Sequence, residues 1–135
     1  MDEVLLNKAA TIERCLKRVR EEYQAMEGRL DSDQTRQDAI VLNLLRTAEA
    51  AIDAAMHLVR IRRLGIPQQS RDAFRLLEEN GILDPQLGQR MQAMVGFRNI
   101  AVHDYQQISL PILKSILDHH LEDFSTFVRS MLGSQ

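Results

Sequence analysis

The stretch 31-DSDQTRQDAIVLNLLRTAEAAIDAAMHLVRIRR-63 decides the fold. Its apolar positions Ile40, Leu44, Ala48, Ala51, Ile52, Ala55, Leu58 and Val59 recur at the spacing of one face of an α-helix. Asp31, Ser32 and Asp33 offer oxygens to cap the first turn, and Gly65 and Pro67 stop the helix soon after Arg63. A helix this long, apolar along one side, needs other helices to cover it.

The rest of the chain supplies them. Upstream, Leu5, Ile12, Leu16, Val19, Tyr23, Met26 and Leu30 mark a first helix that breaks around Gly28 to Ser32. Downstream, a short helix runs from near Ser70 through Phe74, Leu76 and Leu77 to Asn80, with Gly81 where a left-handed cap belongs. Asp84-Pro85 starts a fourth helix as N-cap and first helical residue, and Leu87, Met91, Met94, Val95, Ile100 and Val102 form its apolar side. A fifth is expected as one piece from near Ser109 to Gly133, with Pro111 in its first turn. Leu113, Ile116, Leu117, Leu121, Phe124, Phe127, Val128 and Leu132 run along it. No strand pattern or internal repeat appears, and 6 Gly and 3 Pro leave little material for turns. The expected fold is all-α: an up-and-down antiparallel bundle of four to five helices, in a single domain over residues 1–135.

Composition narrows the function. A hydrophobic share of 44% with 27% charged residues is that of a soluble globular domain. No apolar run approaches the ~20 residues that span a bilayer. The acidic start Met1-Asp2-Glu3 argues against a signal peptide. The single cysteine, Cys15, excludes an internal disulfide and suits a reducing cytoplasm, where the protein is expected. A net charge of -2 argues against gripping nucleic acid over a broad surface. The charge is uneven, however: residues 54–100 carry 7 Lys/Arg against 4 Asp/Glu. That basic excess includes Arg60, Arg62, Arg63, Arg71, Arg75 and Arg90, and it leads into the chain's most chemical segment.

That segment is Arg98-Asn99-Ile100-Ala101-Val102-His103-Asp104-Tyr105. Arg binds phosphate oxygens through its planar fork, and His moves protons near neutral pH. On an ideal helix Asn99 and His103 share a face, whereas Arg98 and His103 point about 140° apart. The two converge only if the helix ends or distorts near His103, or if a second copy of the segment completes the site. The same spacing also suits a structural salt bridge of Arg98 and a helix C-terminus stabilised by His103. A second stripe, Glu49, Asp53 and His57, lies on one face of the second helix. It reads as a metal site, a solvated face, or an electrostatic support for Arg98; no paired Glu-x-x-His motif accompanies it, which argues against the metal. His119 and His120 diverge by about 100° on a helix and make a poor metal clamp. No glycine-rich phosphate loop and no Ser/His/Asp arrangement is present.

The run Gly96-Phe97-Arg98-Asn99-Ile100-Ala101-Val102-His103-Asp104-Tyr105 resembles the signature of HEPN-domain proteins, in particular the HepT-type toxins encoded beside minimal nucleotidyltransferase antitoxins. The second helix, with Asp38, Asn43 and Glu49, is similar to that family's second helix, and helix order agrees across nearly the whole chain. The resemblance implies a metal-independent endoribonuclease with no cofactor, working as a homodimer whose two motifs line one cleft. RNA would be cut by its own 2′-hydroxyl, with Arg98, Asn99 and His103 as catalytic residues and Glu49 and Asp53 as supporting ones. It further implies that a partner nucleotidyltransferase silences the toxin by transferring AMP to Tyr105, whose alternative role is packing at a helix end. A different class remains open: a non-catalytic helical module that assists a partner nucleotidyltransferase.

Overall fold

A computed structural model describes residues 2–134. Met1 and Gln135, the two ends of the expected domain, lie outside the described residues, as does the first position of the acidic start. Six α-helices occur among the described residues: α1 (Glu3–Ala25), α2 (Gln34–Ile61), α3 (Ser70–Glu79), α4 (Pro85–His103), α5 (Leu110–His119) and α6 (Leu121–Gly133). Two 3-10 turns, Leu30–Ser32 and Tyr105–Gln107, lie in the connections.

The start of each long helix is a capping carboxylate. Asp2 accepts from the Leu5 amide at 3.0 Å, Asp33 from Arg36 at 3.1 Å and Asp84 from Leu87 at 2.9 Å. Two helices stop in the same way. After α3, Gly81 turns left-handed at φ 75°, and Ile82 N–H donates to the Leu77 carbonyl at 2.9 Å. After α2 that place is held by Arg63 at φ 54°, with Leu64 N–H donating to the Val59 carbonyl at 3.0 Å.

Helices α1 and α2 form the longest contact and run antiparallel. Ion pairs mark the register along them: Asp2 with His57, Lys8 with Asp53, and Glu22 with Arg36. Helix α2 is central, also packing against α3, α4 and α6, and the small residues Ala48, Ala51, Ala54 and Ala55 let those neighbours approach. Phe74 of α3 meets Phe127 of α6 edge to face, with ring centroids 5.6 Å apart. Burying each such ring contributes about 1.5–3 kcal/mol.

Two expectations need correction. The single fifth helix is broken at His120, whose backbone sits at φ -124° and ψ 1°. Its Nδ1 lies 3.1 Å from Asp123 Oδ2, and its carbonyl accepts from the Asp123 amide, so α6 starts afresh there. No residue is inserted at the break, so the four-residue spacing Leu113–Leu117–Leu121 runs through it unchanged. The second correction concerns α4. Ile100 and Val102, expected on its apolar side, are 43% and 47% exposed, while Phe97 and Ala101 are buried.

Candidate active site

Helix α4 carries the Arg–His segment to its very end. It remains α-helical through His103, and Asp104, at φ -152° and ψ 56°, leaves it. The break therefore comes after the histidine, so the side chains of Arg98 and His103 leave the axis about 140° apart. The Tyr105–Gln107 turn follows, and Ser109 caps α5 by accepting from the Ile112 amide at 3.3 Å.

Arg98 points inward and is only 18% exposed. One guanidinium nitrogen lies 3.2 Å from Glu49 Oε1 on α2, and the other donates to Ser70 Oγ at 2.9 Å. Its Nε is buried with no hydrogen-bond partner among the described residues. Three helices thus fix the plane of one cation, and the salt-bridge reading of Arg98 is realised with Glu49. Helix α3 also brings Arg71 to α4: its guanidinium lies over Gly96, 2.8 Å from where a Cβ would stand. The Asp72 carboxylate fixes the start of α3, accepting from the amides of Gln68 and Gln69 at 2.8 and 3.2 Å. Sequence reasoning named Arg71 only as part of the basic excess and missed Ser70 as a neighbour of the site. No spacing rule connects position 70 to 98; the only signal was that Ser70 opens a helix.

Asn99 and His103 are exposed, and neither side chain has a hydrogen-bond partner among the described residues. His103 is the basic residue of the last turn, where the helix dipole favours a cation. Its imidazole nevertheless bonds to no carbonyl and is open to an incoming molecule.

Tyr105 is 41% exposed, and its hydroxyl donates to Asp38 Oδ1 on α2. Partial burial, together with that carboxylate, pushes the phenol up to about 12. The same hydrogen bond, with a second from Gln34, holds Asp38 below the usual aspartate range.

The stripe on α2 separates into three pairings. Glu49 reaches Arg98, as a supporting residue would. Asp53 turns instead to Lys8 at 3.1 Å, and His57 sits between Asp2 and Arg60, each at 2.9 Å. No cluster of three metal-ligating side chains occurs among the described residues. Asn43 is buried and donates to the Ala39 carbonyl of its own helix. His119 is exposed, and His120 serves the α5–α6 break.

On another side of α4 lies an apolar groove of about 420 Å³, lined by Met94, Phe97, Ile100, Ile112, Ile116 and Phe124. Ile112, at its mouth, is 56% exposed. The α4 end therefore joins a seated guanidinium, a free carboxamide, a free imidazole and an uncovered apolar face. These are parts for binding a phosphodiester and moving a proton beside it.

Comparison with known proteins agrees. A family profile described as Ribonuclease HepT-like matches residues 12–131. The mRNA nuclease HepT of Shewanella oneidensis is 47% identical over 128 residues, covering 95% of this chain and 96% of that one. Among solved structures, the tri-AMPylated Shewanella oneidensis HEPN toxin in complex with MNT antitoxin superposes with a TM-score of 0.91, at 44% identity and full coverage of both chains. A toxin–antitoxin pair, MntA–HpeT, carrying a tyrosine-to-alanine change superposes with a TM-score of 0.89 at 43% identity, over 98% of this chain and 100% of that one. No helix among the described residues is long and apolar enough to cross a membrane. By profile, by sequence and by fold, this chain belongs to the HepT-like ribonuclease family.

Proposed function

We propose that this protein is the toxin of a toxin–antitoxin pair, an endoribonuclease that cuts RNA through its 2′-hydroxyl and is silenced by AMP transfer to Tyr105. The observation that carries the reading is the end of α4. Arg98 is locked in one orientation by Glu49 and Ser70, while Asn99 and His103 stand unpartnered at the surface beyond it. Likeness to an mRNA nuclease supports the substrate class, and likeness to an AMPylated toxin bound to its antitoxin supports the partner, a minimal nucleotidyltransferase. The single cysteine is buried and unpaired, in keeping with a cytoplasmic protein.

The 2′-oxygen attacks the adjacent phosphorus, giving a cyclic phosphate and a free 5′-hydroxyl. This route supplies its own nucleophile and needs no metal. Charge gathers on the phosphoryl oxygens, where Arg98, pre-oriented, stabilises it without reorganising. His103 exchanges the proton with the 2′-hydroxyl or the leaving oxygen. Asn99 binds phosphate or orients His103 through its amide.

Because Arg98 and His103 of one α4 diverge, two copies share the cleft. The Arg98 of one copy serves with the His103 of the other, and the apolar groove beside α4 lies in the interface. Tyr105, two residues beyond His103, then stands at the cleft mouth, where added nucleotides bring negative charge and bulk against an incoming RNA.

Purified protein should cut RNA in the presence of a metal chelator. Arg98→Ala and His103→Ala should each slow cleavage by about 10²- to 10⁴-fold. Full cleavage by both variants would sink the assignment, and would favour a non-catalytic module that assists the nucleotidyltransferase.

A further inference from the structure

Tyr105 and Asp38 are 67 positions apart, yet the phenol of one is bonded to the carboxylate of the other. Asp38 Oδ1 accepts from Tyr105 and, at 2.8 Å, from Gln34 Nε2. Asp38 has no ion-pair partner among the described residues, so no cation competes for its charge. With its hydrogen committed to α2, the phenol oxygen keeps its lone pairs as acceptors, and the residue is 41% exposed to solvent.

We propose that Asp38 is the residue that orients Tyr105 for nucleotidyl transfer and takes its proton as the new bond forms. The proposal rests on the reading of Tyr105 as the acceptor. The phenol oxygen attacks the α-phosphorus of a nucleoside triphosphate presented by the partner enzyme. A phosphorus–oxygen bond forms to Tyr105, and the bond from that phosphorus to the bridging oxygen breaks. The electron pair leaves with pyrophosphate. The phenol proton passes to Asp38 Oδ1 and then to solvent.

The chemistry requires such an acceptor. A phenol held at about 12 is protonated at neutral pH, so attack by a preformed phenolate is rare. A carboxylate already hydrogen-bonded to the transferring proton meets the geometric condition for a general base. It needs little basicity of its own, because the phenol becomes strongly acidic as its oxygen bonds to phosphorus.

A second consequence follows from charge. After transfer, the Tyr105 oxygen carries no hydrogen and is joined to a phosphodiester anion. That anion faces Asp38, which has no cation to offset it, so the product is repelled from the seat that held the substrate. Asp38 thus favours the unmodified ring and expels the modified one.

The test follows AMP addition by intact-mass spectrometry, using the full-length chain, its partner nucleotidyltransferase and ATP. Asp38→Asn keeps an oxygen that accepts the phenol hydrogen bond but does not take the proton. It should lower kcat for transfer by 10²-fold or more, while circular dichroism reports an intact helical fold. Replacing Tyr105 by a fluorinated tyrosine, a stronger acid, should restore much of the Asp38→Asn rate, because an acidic phenol needs less help from a base. A residue that merely braced the turn would not produce that rescue. Transfer to folded Asp38→Asn at the wild-type rate would overturn the proposal, as would failure of the fluorinated ring to recover any rate. If instead the wild-type chain gains no AMP, or if Tyr105→Phe gains as much as wild type, it is the identity of the acceptor that fails.

Discussion

Arg98 illustrates what a residue's type announces and what its surroundings decide. Its spacing to His103 is visible in the chain, and so is the 140° divergence that a regular helix imposes. The partners that orient it are not equally visible. Glu49 and Asp53 are the two carboxylates in the middle of α2, equally suited by spacing, but Glu49 reaches Arg98 while Asp53 is taken by Lys8. Ser70 is a small polar residue at a helix start, and nothing local connects it with a guanidinium 28 positions later. Tyr105 offers a direct measurement at the same scale. In a Tyr23→Phe background, ultraviolet titration should find Tyr105 ionising near 12, and Asp38→Asn should bring it back toward the ordinary phenol value of about 10. The linked stability has a definite sign. The raised phenol contributes below about pH 10 and loses its contribution as pH rises through 12; the lowered Asp38 carboxyl contributes above the ordinary aspartate range and loses its contribution as pH falls. Wild type should therefore exceed Tyr105→Phe in melting temperature most clearly between those limits.

At the scale of elements, starts were more legible than stops. Asp84 caps its helix as the sequence suggests, and of the three oxygens offered before α2 it is Asp33 that caps, since a carboxylate before an amphipathic run has an obvious local use. Ends depend on what the next segment must reach. Gly81 takes the left-handed position that its type favours, but Arg63 takes the same position after α2 against the preference of a side chain with a Cβ. The pair makes opposite predictions. Gly81→Ala should cost about 1 kcal/mol from backbone strain alone, because no atom lies within 4 Å of the added methyl. Arg63→Gly should gain up to about 1 kcal/mol by relieving that strain. Urea midpoints moving in the same direction for both would contradict this account of the two caps. The bend at His120 was hidden for a physical reason: the apolar residues stay four apart through it, and periodicity records spacing but not a change of axis.

Across the whole molecule, the class of fold followed from 3.6-residue periodicity with few turn residues, and the helix order held throughout. The outward face of α4 is where the structure departs most from the sequence pattern. Leu87, Met91 and Val95 are buried as their spacing predicts, but Ile100 and Val102 are exposed and the last turns are buried through Phe97 and Ala101. An apolar residue on an exposed face suits a surface that a second molecule covers. Ile112→Glu, at the mouth of the adjoining groove, should leave the helical content of the chain intact. On the proposed shared cleft, it should shift sedimentation from dimer to monomer, and RNA cleavage should fall at least tenfold with it. A variant that remained fully dimeric and active would place the shared interface elsewhere.

The seat of Arg98 also bears on how a cell survives making such a protein. Glu49, Ser70 and Arg98 come from α2, α3 and α4, so the guanidinium is oriented only once all three helices have been synthesised and docked. During translation the end of α4, which carries the proposed catalytic residues, comes only in the final third of the chain. Products of abandoned translation or early proteolysis that stop short of α4 have neither Arg98 nor His103. A chain long enough to contain Arg98 and His103 reaches Tyr105, the proposed handle for a partner enzyme, only two residues later.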